Sequence, residues 1–154
     1  ATSHVYLTSP YFIPDPRFFR ALRAAARRGV DVCLLVSGPS DHPFVDIASN
    51  SYYQRAFRAG IRIFRYDGRR LHAKTAVVDG KWATVGTANL DNLSLLFNYE
   101  GNLTTTNGKM ISELSAQFQE DLRHSRELTR KEWRRRPAIQ KFLEKVMWPF
   151  HRFL

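Results

Sequence analysis

Apolar positions recur along this chain with two periods in turn, and their alternation outlines the elements. Val5 to Thr8 reads as a short strand. Asp15-Pro16 marks a helix start, an N-cap followed by proline at the first helical position. Phe18, Leu22, Ala25 and Ala26 supply the apolar stripe of that helix, and Gly29 stops it. Asp31 to Val36 is a nearly unbroken apolar run, the mark of a strand buried on both faces. Pro43 to Ala59 has helical spacing, with Phe44, Ile47, Ala48, Tyr52 and Phe57 available to a core and Gly60 as its stop. Ile61 to Tyr66 alternates as a strand. Val77-Val78-Asp79-Gly80-Lys81-Trp82 reads as strand, tight turn, strand. Asn98 to Thr105 is a further strand, with Asn98, Glu100 and Asn102 on one face and Phe97, Tyr99, Gly101 and Leu103 on the other. Lys109 to Ser125 is a helix with Ile111, Leu114, Phe118 and Leu122 along one side. Strands that alternate with helices and then give way to a hairpin predict an α/β fold, a mixed β-sheet flanked by helices.

Composition bounds the rest. A chain of 154 residues with 44% apolar and 13% aromatic content builds a real core and is not disordered. Cys33, the single cysteine, sits inside the Val32–Val36 run and reads as a buried small side chain. No cysteine cluster, His-Glu-x-x-His or acidic calcium loop is present, so neither metal nor cofactor is called for. No stretch approaches the roughly 18 apolar residues of a membrane span, and no signal peptide is visible. The formal charge of +10 favours anionic partners, nucleic acid or acidic lipid, without choosing between them. From Arg123 onward ten Lys or Arg stand against three Glu, the one clear shift in composition. It suggests a catalytic domain over residues 1–125 and a basic amphipathic tail over 126–154. In that tail Ile139, Phe142, Leu143, Val146, Met147, Phe150 and Phe153 fall at helical spacing among Lys141, Lys145 and Arg152, with Pro149 as a kink or stop. Such a segment docks on the domain or lies in a membrane surface.

The chemistry gathers around Leu71-His72-Ala73-Lys74. A histidine and a lysine two residues apart on a strand share a face. The first titrates near neutral pH and the second is a fixed cation, a pair suited to a phosphate ester. A two-residue Asp79-Gly80 turn puts His72 opposite Thr87; a Gly80-Lys81 turn puts it opposite Asn89. Either register sets His72, Lys74, Thr87 and Asn89 on one face, and only an odd-length loop breaks the result. Asp79 reads as a turn residue.

The full spaced set His72, Lys74, Asp79, Gly86, Thr87 and Asn89 resembles the HKD motif of the phospholipase D superfamily. Ser9-Pro10-Tyr11-Phe12-Ile13-Pro14-Asp15, Ser40-Asp41-His42-Pro43, Asn89-Leu90-Asp91 and Leu95-Leu96-Phe97-Asn98-Tyr99-Glu100 are similar to the C-terminal half of bacterial cardiolipin synthases. So are His124-Ser125-Arg126-Glu127-Leu128 and Glu132-Trp133-Arg134-Arg135-Arg136-Pro137. The resemblance implies a phospholipase D-like domain with its site at one sheet end. It implies a phosphatidyltransferase that joins two phosphatidylglycerols into cardiolipin and releases glycerol through a phosphohistidine. One HKD histidine is then nucleophile and the other acid, the role expected of His72 in a C-terminal motif. Lys74 and Asn89 are expected to hold the phosphate, with Thr87 a further donor; Asp79 and Gly86 are structural. Glu100 is expected to orient the histidine. Asp91 and Ser94 are expected to shape the following loop, and Tyr11 and Phe12 to line the substrate channel or the core.

Those synthases carry two motifs and this chain one, so the resemblance implies an enzyme incomplete as a single chain. A second HKD domain is then needed, in cis or by homodimerisation. The implied partners are anionic phospholipid and a membrane surface, with nucleic acid disfavoured. The implied location is the bacterial cell membrane, with no transmembrane segment within this sequence. Two alternatives stay open: a homodimeric HKD phosphodiesterase or nuclease, and an inactive half-enzyme that binds anionic membrane.

Overall fold

The computed structural model describes residues 1–38, 43–67, 70–91, 94 and 98–147. Within them lie strands β1 (His4–Thr8), β2 (Asp31–Val36), β3 (Arg62–Tyr66), β4 (Thr75–Val78), β5 (Trp82–Gly86), β6 (Asn102–Thr105) and β7 (Ser125–Leu128). The helices are α1 (Pro16–Arg27), α2 (Pro43–Ala59), α3 (Gly108–Arg123), α4 (Arg130–Arg134) and α5 (Ala138–Met147). The sheet runs β6-β5-β4-β1-β2-β3-β7. β1, β2 and β3 are parallel, while β4, β5, β6 and β7 each pair antiparallel to their neighbours. The mixed α/β sheet expected from the pattern is the one observed.

Two-sided burial explains the β2 run. Val32, Leu34 and Val36 join Val5 and Leu7 in a core shared with α1 and α2, while Cys33 and Leu35 face Phe64 and Phe118 on the α3 side. Cys33 is buried, and burial, with the Asp31 carboxylate adding to it, pushes its thiol up to about 12. It is an inert packing group. On α1 the N-cap forms as expected, Asp15 accepting from the N–H groups of Arg17 and Phe18. Its deepest aromatic is nevertheless Phe19, with Phe18 only partly buried. On α2 the inward side is Ala48, Tyr52, Tyr53 and Ala56, whereas Phe44 is 68% exposed. Both shifts are a small rotation of the helix face, set by what the sheet presents.

The domain boundary placed after residue 125 falls inside β7, which pairs with β3 from Ile63↔Leu128 to Tyr66↔Ser125. Trp133 packs further into the core, against Tyr53 and Phe57. The basic segment therefore begins as part of the sheet. Phe150, Arg152, Phe153 and Pro149 lie outside the described residues.

At the far end of β4 the turn departs from expectation. Asp79 (φ 54) and Gly80 (φ 62) both adopt left-handed backbone, and Lys81 N–H donates to Val78 O at 3.0 Å. Pairing resumes at Val78↔Trp82, so three residues intervene. The extra residue inverts the parity assumed for the hairpin. Asp79 itself is a clamp on the chain's start: its carboxylate accepts the N–H groups of Thr2 (2.9 Å), Ser3 (2.8 Å) and His4 (3.0 Å). These bonds, that of Ser3 foremost, hold the carboxyl well below its ordinary range. A depressed folded-state value means stability that is full above about pH 4, the unfolded carboxylate range, and is lost as pH falls further. Asp79→Asn is expected to melt several degrees lower at pH 7. Thermal melts taken down the acid range are expected to bring the two proteins together.

Candidate active site

The sheet gathers one set of ends. The C-termini of β1, β2, β3 and β5 and the N-termini of β4, β6 and β7 all lie at the same edge, by their pairing directions. His72 and Lys74 arrive there just before β4. The last bond of that hairpin is Gly86 N–H to Lys74 O at 3.1 Å, so Lys74 stands opposite Gly86, on the α1 side with Ala76 and Val78. Thr87 and Asn89 are thus out of phase with His72 and Lys74, contrary to the even-loop expectation. They approach the site because the chain leaves the ladder after Gly86. Thr87 N–H turns to Gly101 O at 3.1 Å. Leu90 then makes a parallel bridge to Phe12, its O accepting from Ile13 N–H at 2.8 Å and its N–H donating to Ser9 Oγ at 3.2 Å. Ser9 is wholly buried and anchors the backbone next to Asn89. Its role was unread in the sequence, although it opens the Ser9–Asp15 run. Phe12 is buried among Phe19 and Tyr52, so it is core and not channel lining.

Lys74 is the buried cation of the site, 8% exposed. Its Nζ donates to the His72 carbonyl at 2.7 Å. Burial pushes the ammonium below the usual lysine value, and the negative charges of Glu100 and Asp91 oppose that shift. His72 is exposed, and among the described residues its imidazole has no hydrogen-bond partner. Asn89 keeps a side-chain oxygen that is buried and unpartnered among those residues. An amide holds a donor and an acceptor on one pivot, so a half-turn offers NH2 at the same place.

Glu100 is placed differently from the expectation. Its carboxylate lies below its ordinary range chiefly through the hydrogen bond from Thr87, then those from Ser94 and Asn98, with the Lys74 charge added. Among the described residues no hydrogen bond joins it to the His72 imidazole. The physical reason is that β6 begins only at Asn102, so Glu100 sits in a loop that folds over Thr87. Tyr99, given to the opposite strand face, is fully exposed; Phe97 lies outside the described residues. Thr87 Oγ1 accepts Gly101 N–H at 3.0 Å. Asp91 accepts Ser94 N–H at 2.7 Å, the loop-shaping role expected of the pair. Gly86 leaves no room for a side chain: a Cβ there would overlap the Asn102 amide oxygen and the Gly101 carbonyl. His42 and Leu95–Phe97 lie outside the described residues.

Lys74 and Asn89 stand together at one end of an open groove of about 490 Å³ between α1 and the β1-β4-β5 face. Most of the remaining wall is apolar, including Val5, Leu7, Leu22, Val78 and Trp82. Among the described residues no group of three or more His, Cys, Asp or Glu is arranged to hold a metal ion.

A mixed seven-stranded sheet with an HKD motif at its strand ends defines a phospholipase D-like domain. The chain belongs to the family described as cardiolipin synthase, PLD-like domain, which its residues 1–122 match. Similar relatives include cardiolipin synthase A of Pseudomonas putida, 44% identical over 84% of this chain and 27% of that protein. Cardiolipin synthase of Listeria welshimeri is 42% identical over 95% of this chain and 30% of that protein. The chain thus spans under a third of the length of these relatives. Among solved structures, phosphatidylserine synthase of Haemophilus influenzae superposes with a TM-score of 0.72 at 14% identity, over 99% of this chain and 40% of that one. Nuc of Salmonella typhimurium, a phospholipase D family member, gives 0.69 at 22% identity over 83% of each chain. At these identities the two structures speak to the fold.

Proposed function

We propose that this chain is a catalytic domain of a cardiolipin synthase-type phosphatidyltransferase, and that it supplies one of two HKD half-sites. The observation that carries the reading is the groove. Its polar end holds a buried cation and an amide with unspent capacity, and its remaining wall, apart from Arg28, is largely apolar. That is the shape of a site for a phosphate attached to hydrocarbon. The curated relatives are cardiolipin synthases, which supports phosphatidylglycerol as donor and acceptor.

In the proposed reaction a histidine of the second half-site attacks phosphorus and a phosphatidyl–histidine N–P bond forms. The P–O bond to glycerol breaks, and protonated His72 gives its proton to the departing oxygen. Neutral His72 then takes the proton of a second phosphatidylglycerol hydroxyl, which attacks phosphorus and releases the nucleophile as cardiolipin forms. Two easier displacements replace one hard one. Lys74 and Asn89 hold the non-bridging oxygens as their charge grows, and the negative charge of Glu100 favours the protonated form of Lys74. The reading places the domain at the bacterial cell membrane, where its substrates are; among the described residues no helix is long and apolar enough to cross one.

Because the described residues bring one imidazole to the site, a proven monomer is expected to show no turnover. Sedimentation to establish oligomeric state, followed by labelled phosphatidylglycerol vesicles, tests this. Robust cardiolipin formation by the monomer rejects the half-site. Metal-independent cutting of plasmid DNA with no lipid product rejects the phosphatidyltransferase.

A further inference from the structure

The helix α5 is packed inside out. Its buried residue is Glu144, which receives a bidentate bond from Arg136 (Nε to Oε1, 2.9 Å). Arg136 in turn donates to Trp133 O at 2.7 Å and lies over the Trp133 ring at 4.7 Å. This polar clasp fixes α5 against α2 by the side that carries Glu144. Its large apolar side chains are left to solvent: Ile139 is 64% exposed, Phe142 61%, Val146 47% and Leu143 39%. At 100° per residue these four span an arc of about 100°. Lys145, exposed, lies about 60° beyond Phe142 and borders that arc, while Lys141 stands further round toward Glu144. Just upstream, Arg130, Lys131, Arg134 and Arg135 line an open concavity without an acidic side chain in its wall.

We infer that the outer face of α5, with the basic α4 segment beside it, docks on an anionic bilayer surface. Charge complementarity selects this occupant. A contiguous apolar strip with Lys145 at its edge, just after a purely basic concavity in the chain, matches an interface where hydrocarbon meets anionic headgroups. The site end of the sheet is close by, since Gln140 of α5 shares a cleft with Pro10, Ser37 and Gly38. Docking there keeps the groove near the lipid plane.

The test is co-sedimentation of the full chain with phosphatidylglycerol–phosphatidylcholine vesicles and with phosphatidylcholine alone. Binding is expected to the anionic vesicles and to weaken with salt. Arg134→Ala with Lys145→Ala is expected to lower it about 30-fold, roughly fivefold for each charge. Phe142→Ser with Val146→Ser is expected to lower it at least tenfold, with the thermal melt confirming an intact fold in both. Lys74→Met, which removes the groove's buried cation, is expected to bind as the parent does, which separates docking from the substrate groove. Absence of vesicle binding, or binding untouched by both double variants, overturns the inference. So does a lipid-free dimer that Phe142→Ser with Val146→Ser disperses, which would assign the face to a second copy. Each of these results leaves the catalytic reading standing.

Discussion

His72→Asn is expected to abolish phosphatidyl transfer while leaving the melting temperature unchanged. The two halves of that result have separate causes. The imidazole is exposed and holds no hydrogen bond among the described residues, so its removal breaks no packing and strands no buried partner. Surface substitutions of this kind usually stay within about 0.5 kcal/mol. In the proposed reaction the same group gives a proton to glycerol and takes one from the acceptor. Loss of a positioned acid–base group costs about 100- to 10,000-fold. The assay is glycerol release and cardiolipin formation from labelled phosphatidylglycerol vesicles, with a second HKD domain supplied. Turnover within tenfold of the parent removes His72 from the chemistry. A collapse of the melt assigns it to structure.

Lys74→Met is expected to lower turnover about 100- to 1,000-fold, the scale for loss of one donor to a developing oxyanion. The variant is expected to melt no lower than the parent. Lys74 is a buried ammonium whose proton affinity is reduced by burial, so it is a cost to the fold that the site retains for its charge. Its removal leaves Glu100 with Thr87, Ser94 and Asn98, and leaves Asp91 with the Ser94 N–H. The His72 carbonyl that loses the ammonium belongs to an exposed residue, and water replaces the donor. The pH dependence carries the sign. A lysine whose folded value is depressed binds fewer protons folded than unfolded, so parent stability rises with pH up to the ordinary lysine range. Activity moves the other way, because the charged form is lost earlier than for an ordinary lysine. The parent is expected to show an alkaline fall in kcat/KM below that range. Lys74→Met is expected to lack both slopes. A variant that melts well below the parent makes Lys74 a structural residue.

The groove and the clasp differ in what they ask of the chain. The groove needs a cation that is buried but still charged, and the Glu100–Thr87–Gly101 loop supplies the compensating field. The clasp uses an Arg–carboxylate pair to bury polarity so that hydrocarbon stays outside. In both places a local energetic cost marks a surface that meets lipid in the proposed function.

Element order was legible in the sequence because period and capping are local. The bounds of β2 and α2 follow from an unbroken apolar run and from Pro43 and Gly60 alone. The HKD residues were legible too, since the type and spacing of side chains declare phosphate chemistry wherever the chain puts them. Tertiary structure alone decided which of them meet. One extra residue at Lys81 reversed the hairpin parity, and no periodicity registers a single inserted residue whose flanking φ values are left-handed. Asn89 is brought to Lys74 by the bonds of its neighbour Leu90 to Ser9 and Ile13, and Glu100 is turned toward Thr87 by a loop rather than a strand. Those contacts join residues far apart in the chain, and a one-dimensional pattern records only the neighbours of each residue, not the distant groups that complete its hydrogen bonds.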